Sequence, residues 1–270
     1  MRSVLLILAC LACESHTRAL PKGHAERQAA EMNALALLLR SLDRAAAYNP
    51  SSTGLQLRAR QPARAGVSPR MEVVENPTAT FTTSMGEFTA EIYLKEMPLT
   101  ASNFIDLCSQ AFYDKLHFHR VKPGFMAQTG CPRSSDPQSA QAGEGGPENE
   151  SDFKNLVTGG YVIRKGSRMD RQGFIQDEFT EKISNEPFTI AMANNGRPNT
   201  GGSQFFINMA HNKALDWFDD SSKSKHPVFG KVIEGMDVVE KIVNVERDDD
   251  DRPVEPVKLE KVRVSEIKTS

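Results

Sequence analysis

The sequence predicts a mainly β protein, a closed antiparallel barrel whose ends are covered by α-helices. Three observations predict it. Short segments with period-two alternation recur from about residue 78 to about residue 268. Tight Gly-, Pro- and Asn-containing turns separate them, and only two stretches of that region change to a helical period. The interior of such a barrel fills with its own side chains, so a binding site belongs on the outer wall.

With 39% hydrophobic residues in 270, the chain can bury a substantial core, as one large domain or two small ones. Its 33 basic and 35 acidic residues leave a formal net charge of -2, which gives no reason to expect nucleic acid as a partner. No apolar run reaches the roughly eighteen residues that a membrane span needs, so no membrane attachment is expected of the mature form. We expect a monomer.

Arg2 followed by the apolar run VLLILACLAC and then Glu14, Ser15 and His16 has the layout of a signal peptide, and residues 1–20 are assigned to it. Residues 21–71 form a second leader segment. Its first half is rich in Ala and Leu and helix-capable, with Leu35, Leu38, Leu39 and Leu42. From Arg44 to Arg70 it carries five arginines and no acidic residue, the composition of a transit segment. A signal peptide followed by such a segment suggests the secretory route into a complex plastid. A disordered linker in an endoplasmic-reticulum or secreted protein is the alternative, and we place the plastid first. Cys10 and Cys13 leave with this leader. Cys108 and Cys131 are read as reduced thiols, with a disulfide between them as the alternative.

The domain is assigned to residues 72–270. Phe88, Ala90, Ile92 and Leu94 alternate with Glu87, Thr89, Glu91 and Tyr93 after a Ser84–Gly86 turn, which predicts a strand with one buried face. From Pro98 to Gln110 the period changes. Phe104, Leu107, Cys108 and Ala111 fall on one helical face, with Thr100 available as cap. Phe118–Gly130 then alternates about a Pro123–Gly124 turn. Residues 131–173, rich in Gly, Pro, Ser and Asp, are read as a long surface insertion containing a glycosylation sequon at Asn149. Phe188–Asn194 and Ser203–Asn208 are strands across a Gly196–Gly202 connection, followed by a strand over Val228–Val232. Met236, Val239, Ile242 and Val243 mark a second helix after Gly235. Asp248–Asp251 is read as a solvated acidic loop, and Val257–Ile267 as the strand that closes the sheet.

Two of these stretches concentrate chemistry. Alternation puts Met126 with Gln128, and Phe118 with Arg120, on common faces, while Gln204, Phe206 and Asn208 share a face of a later strand. A cation and amides at the edge of an apolar pocket result. The segments FHRVKPGFMAQTG (Phe118–Gly130), IAMANNGRPNTGGSQFFIN (Ile190–Asn208) and HPVFGKVIEGMDVVEKI (His226–Ile242) resemble, in order, three signatures of the cyclophilins, a family of peptidyl-prolyl cis/trans isomerases. Three ordered matches are a specific signal.

The resemblance covers about residues 78 to 268 and implies the eight-stranded barrel. It also implies an enzyme acting on proline-containing peptides and unfolded protein clients, assisting folding. By resemblance Arg120 is the catalytic donor to the proline nitrogen. Phe125, Met126, Phe206 and Leu215 line the proline pocket, Gln128 bonds the substrate backbone, Asn194 presents main-chain groups beside Ala193, and Gln204 and His226 complete the wall. Gly145 or Gly146 is the counterpart of the family's loop glycine. The family's common tryptophan falls on Ala214, with Trp217 three residues later, which counts against cyclosporin binding.

Bond rotation needs no nucleophile, proton donor or metal, so no cofactor and no metal site are expected. His117, His119 and Cys131 supply an incomplete ligand set. Two readings from other classes stand beside the enzyme. One is a catalytically weak proline-peptide-binding module, and the other a scaffold built on the 131–173 insertion.

Overall fold

A computed structural model describes residues 75–166 and 172–268 of the protein. The two leader segments lie outside the described residues. Strands β1 (Thr78–Thr83) and β2 (Gly86–Ile92) form the expected hairpin, with Thr83 opposite Gly86 and Phe81 opposite Phe88. The two rings stack at 4.6 Å, so the period-two pattern of β2 is used to bury its apolar face.

Helix α1 (Pro98–Ser109) sends Phe104 into the core, where its ring lies 5.4–6.1 Å from Phe81, Tyr113, Phe205 and Phe229. Thr100 does not cap it. The cap comes from Glu178, 78 residues downstream of Thr100, whose carboxylate accepts from Leu99 N at 2.8 Å and Thr100 N at 2.7 Å. Two orphan amides at a positive helix end are thereby satisfied by one negative group.

The chain continues through β3 (Leu116–His117), β4 (Arg120–Lys122), β5 (Met126–Thr129), β6 (Asp152–Lys154), β7 (Tyr161–Ile163), β8 (Thr189–Met192), β9 (Phe205–Asn208), β10 (Val228–Glu234), α2 (Met236–Val243) and β11 (Lys258–Val264). Nine of the strands make one antiparallel sheet in the order β3-β11-β1-β2-β10-β8-β9-β5-β4. This corrects the expected closed eight-stranded barrel. Among the described residues the sheet is curled but open, with no ladder between β3 and β4. β3 and β4 follow one another along residues 116–122 with only Phe118 and His119 between them, β3 paired to β11 and β4 to β5, so they lie end to end and form no ladder with each other. A single side-chain bond, Thr129 Oγ1 to His117 O at 3.0 Å, ties β5 to β3.

Residues 131–173 are also more than a surface loop. β6 and β7 pair within it, and Arg164 behind them is 1% exposed. Its guanidinium lies 4.6 Å over the Phe153 ring and donates to Asn103 Oδ1 at 2.7 Å and Asp106 Oδ2 at 2.6 Å. A buried cation needs such partners, and here they pin the insertion to α1. Cys108 and Cys131 are both free and buried. Burial pushes the Cys108 thiol well above its ordinary range, and Cys131 Sγ accepts from Gly145 N at 3.2 Å.

Strands β8 and β9 are buried on both faces. Ile190, Phe205 and Ile207 join the main core, while Ala191 and Phe206 join Met126, Ala193 and Val228 in a smaller cluster against which Phe125 and Leu215 pack. That second cluster is the floor of the site. Phe118 does not contribute to it, because it is buried in the main core.

Candidate active site

Nine of the ten residues expected at the site surround one cavity of about 240 Å³: Arg120, Phe125, Met126, Gln128, Ala193, Asn194, Phe206, Leu215 and His226. Arg120, Met126, Gln128 and Phe206 are placed by strands of the sheet, and the other five by the turns and loops that flank it. β4 and β5 pair with Arg120 opposite Gln128, and β5 and β9 with Gln128 opposite Phe206, so cation, amide and ring follow one another across three strands. Met126 and Gln128 share a face of β5 as period two requires. At its end Gly130 takes φ +89°, and a Cβ there would overlap Ser203 O, so this motif position admits only glycine.

Gln204 lies in an adjoining cavity of about 300 Å³ that shares Gln128, Ala193 and Asn194 with the first. Its Nε2 donates to the carbonyls of Gly143 and Gly145, both at 2.8 Å. Carbonyls only accept, so the amide orientation is fixed and its Oε1 receives Gln128 Nε2 at 3.0 Å. The chain Gly143–Gln204–Gln128 leaves Gln128 Oε1 as the acceptor at the cavity edge. Gly143 and Gln172 of the second cavity were not legible as site residues, since the 131–173 insertion that carries them lacks periodicity, and Thr200 and Ser203, although inside the second motif, were not singled out.

Asn194 donates from Nδ2 to Lys225 O at 2.9 Å and accepts Gly196 N on Oδ1 at 2.9 Å. These two bonds hold the side chain in place and leave the main-chain groups of Asn194 beside the cavity. His226 Nδ1 faces Met192 O at 2.8 Å, which assigns the proton to Nδ1, and Nε2 therefore accepts from Ser224 Oγ at 2.6 Å. Burial lowers the pKa of this histidine, against the opposing pull of the Met192 carbonyl and Asp177. Neutral, its ring meets that of Phe206 edge-on at 5.2 Å.

Arg120 is not a lone buried cation. Its side chain is 42% exposed and its Nη2 lies 3.3 Å from Asp251 Oδ2. Asp251 belongs to the stretch expected to be a solvated acidic loop, yet its side chain is only 19% exposed, and Arg247 Nε lies 3.2 Å from the other carboxylate oxygen. Burial works to raise the Asp251 pKa, but Arg247, Lys122 and Arg120 hold it below the usual carboxylate range. The arrangement offers a fixed guanidinium at the rim of an apolar cavity, with amide and main-chain groups beside it.

The family model for cyclophilin type peptidyl-prolyl cis-trans isomerases matches residues 78–264. The chain belongs to that family. Its relatives include peptidyl-prolyl cis-trans isomerase CYP18-2 of Arabidopsis thaliana, 34% identical over 188 residues, 70% of this chain and 93% of that one. Peptidyl-prolyl cis-trans isomerase-like 3 of Gibberella zeae is 37% identical over 191 residues, 69% of this chain and 95% of that one. Isomerase CYP71 of Arabidopsis thaliana is 39% identical over 183 residues, which span 67% of this chain but 23% of that longer protein. The crystal structure of a Cryptosporidium parvum cyclophilin type isomerase, obtained in the presence of the dipeptide Ala-Pro, aligns with TM-score 0.54 and 21% identity over 70% of this chain and 99% of that one. The last comparison concerns the fold. This cyclophilin therefore keeps a curled β sheet and two helices, and its signatures supply the walls of the cavity just described.

Proposed function

We propose that this cyclophilin accelerates rotation about X–Pro bonds of peptide and protein chains at the Arg120 cavity. The observation that carries the reading is the guanidinium of Arg120 at the rim of the cavity formed by Phe125, Met126, Phe206 and Leu215. Amide resonance sets the uncatalysed barrier at about 18–20 kcal/mol. Resonance also separates charge, so water favours the planar amide and an apolar cavity favours the twisted one. As the bond twists, the proline nitrogen becomes pyramidal and gains a lone pair, which a donor can stabilise only in that state. Arg120 is that donor, the apolar residues hold the proline ring, Gln128 takes a substrate main-chain N–H on Oε1, and Asn194 offers its backbone to the residue before proline.

The test is a proline-peptide isomerisation assay on the full chain alongside a peptide-binding titration. Acceleration that saturates with peptide supports the enzyme. Binding without acceleration would select a peptide-binding module. A scaffold role for the 131–173 insertion is compatible with either outcome, and deletion of the insertion that leaves isomerase activity unchanged while a pulled-down partner is lost would support it.

For the finer points, composition supports cleavage of the leader before about Met71 and delivery by the secretory route, with the plastid placed ahead of the endoplasmic reticulum. Fusion of residues 1–70 to a fluorescent protein in a cell with a complex plastid tests this, and fluorescence left in the cytosol refutes it. Cyclosporin is expected to bind weakly because Ala214 replaces the tryptophan surface.

A further inference from the structure

We propose that Asp251 is the positioning residue of the isomerase site, holding both the strand and the guanidinium of Arg120. The proposal rests on the reading of Arg120 as the donor. β4 is an edge strand with only β5 beside it, so its outward amide needs a partner. Val121 N finds it in Asp251 O at 2.7 Å. The carboxylate of the same residue then accepts from Arg120 Nη2 at 3.3 Å and from Arg247 Nε at 3.2 Å. One residue thus grips main chain and side chain of adjacent positions.

Asp251 makes these contacts from a left-handed backbone, φ +62°, a conformation that non-glycine residues adopt at a cost. The loop is built to hold it there. Asp251 N donates to Asp248 O at 3.1 Å, Asp248 N to Arg252 O at 2.9 Å, and Asp248 Oδ1 receives the amides of Asp250 and Arg252. Gln128, the cross-strand neighbour of Arg120, spends its Nε2 on Gln204. Among the described residues Asp251 is the side chain that fixes the direction of the guanidinium. A guanidinium held in advance does not have to be ordered when the bond twists.

Asparagine and glycine both tolerate this backbone, so Asp251→Asn removes the charge and Asp251→Gly the whole side chain while Val121 keeps its partner. Partly exposed pairs are modest, and the expected loss in kcat is about two- to fivefold at low salt, with KM unchanged. In an Arg120→Ala background, Asp251→Asn should cause no further loss. Wild-type kcat should itself fall by the same factor towards about 1 M NaCl, where charges are screened beyond about 3 Å, and this titration reads the pair even if a variant does not fold. Full low-salt kcat in both variants, or a loss that persists without Arg120, or a salt-independent wild type, would overturn the proposal. Wild-type turnover in Arg120→Ala would instead remove the reading of Arg120 on which it rests.

Discussion

Phe125 and Phe206 line the same cavity but differ in what they support. Phe206 is 4% exposed and belongs to the floor cluster, whereas Phe125 is only partly buried and packs against it. Phe206→Ala should therefore lower urea stability by about 3–5 kcal/mol and weaken peptide binding together. Phe125→Ala should weaken binding with less than half that loss. Equal unfolding midpoints for the two variants would contradict the assignment of Phe206 to the floor. Both residues were legible in the sequence, as were Arg120 and Gln128, because they sit within short motifs whose alternation fixes which side chains share a face. Asp251 was not legible: its contact with Arg120 spans 131 residues, and the run Asp248–Asp251 reads locally as solvated charge. Thr100 misled for the opposite reason, since it has the right chemistry for a cap and lies inside the helix that Glu178 caps.

Elements were legible where the apolar residues themselves repeat with the period of the element. β2 alternates cleanly, and α1 shows its helical period, so their types and approximate bounds follow from the residues. β6 and β7, three residues each, are too short to display a period, and their place depends on Arg164 reaching α1. That contact makes a sharp prediction. Asp106→Ala leaves the Arg164 charge, at 1% exposure, with one partner fewer and should cost about 3–5 kcal/mol in urea unfolding. Arg164→Met, which removes the charge as well, should cost less than Asp106→Ala. The reverse order would show that the cation–π contact and packing, not charge compensation, hold the insertion. At the other end of α1, Glu178→Gln keeps the size but withdraws the negative charge from Leu99 N and Thr100 N. A loss of about 1–2 kcal/mol is expected, measured by the same unfolding curves.

At the scale of the whole molecule, the expected barrel is a curled sheet left open between β3 and β4, which are consecutive pieces of residues 116–122 paired to β11 and to β5 respectively. Local patterns could not reveal this, since β11, the partner of β3, comes from the far end of the chain. Two histidines tie stability to acid pH. Burial lowers the pKa of His119 to about 4, with Arg252 and Arg120 adding to the effect, and burial lowers that of His226 as well. Both folded values lie below the ordinary histidine value, so the unfolded chain takes up protons first. Their contribution is whole above about pH 6.5 and is lost as pH falls towards 4, by at most about 3 kcal/mol for His119. His119→Gln should flatten the decline between these pH values, and an unchanged slope would remove this histidine from the acid response. The central claim is that Arg120 stabilises the twisted proline bond. Going from tens of seconds to milliseconds takes roughly 10⁴ in rate, about 5–6 kcal/mol, more than an apolar cavity alone supplies. The most direct measurement is kcat/KM for a proline peptide together with its Kd, for wild type and a folded Arg120→Ala. A fall in kcat/KM of about 10²–10³ with Kd nearly unchanged is predicted, and near-wild-type turnover would contradict the account.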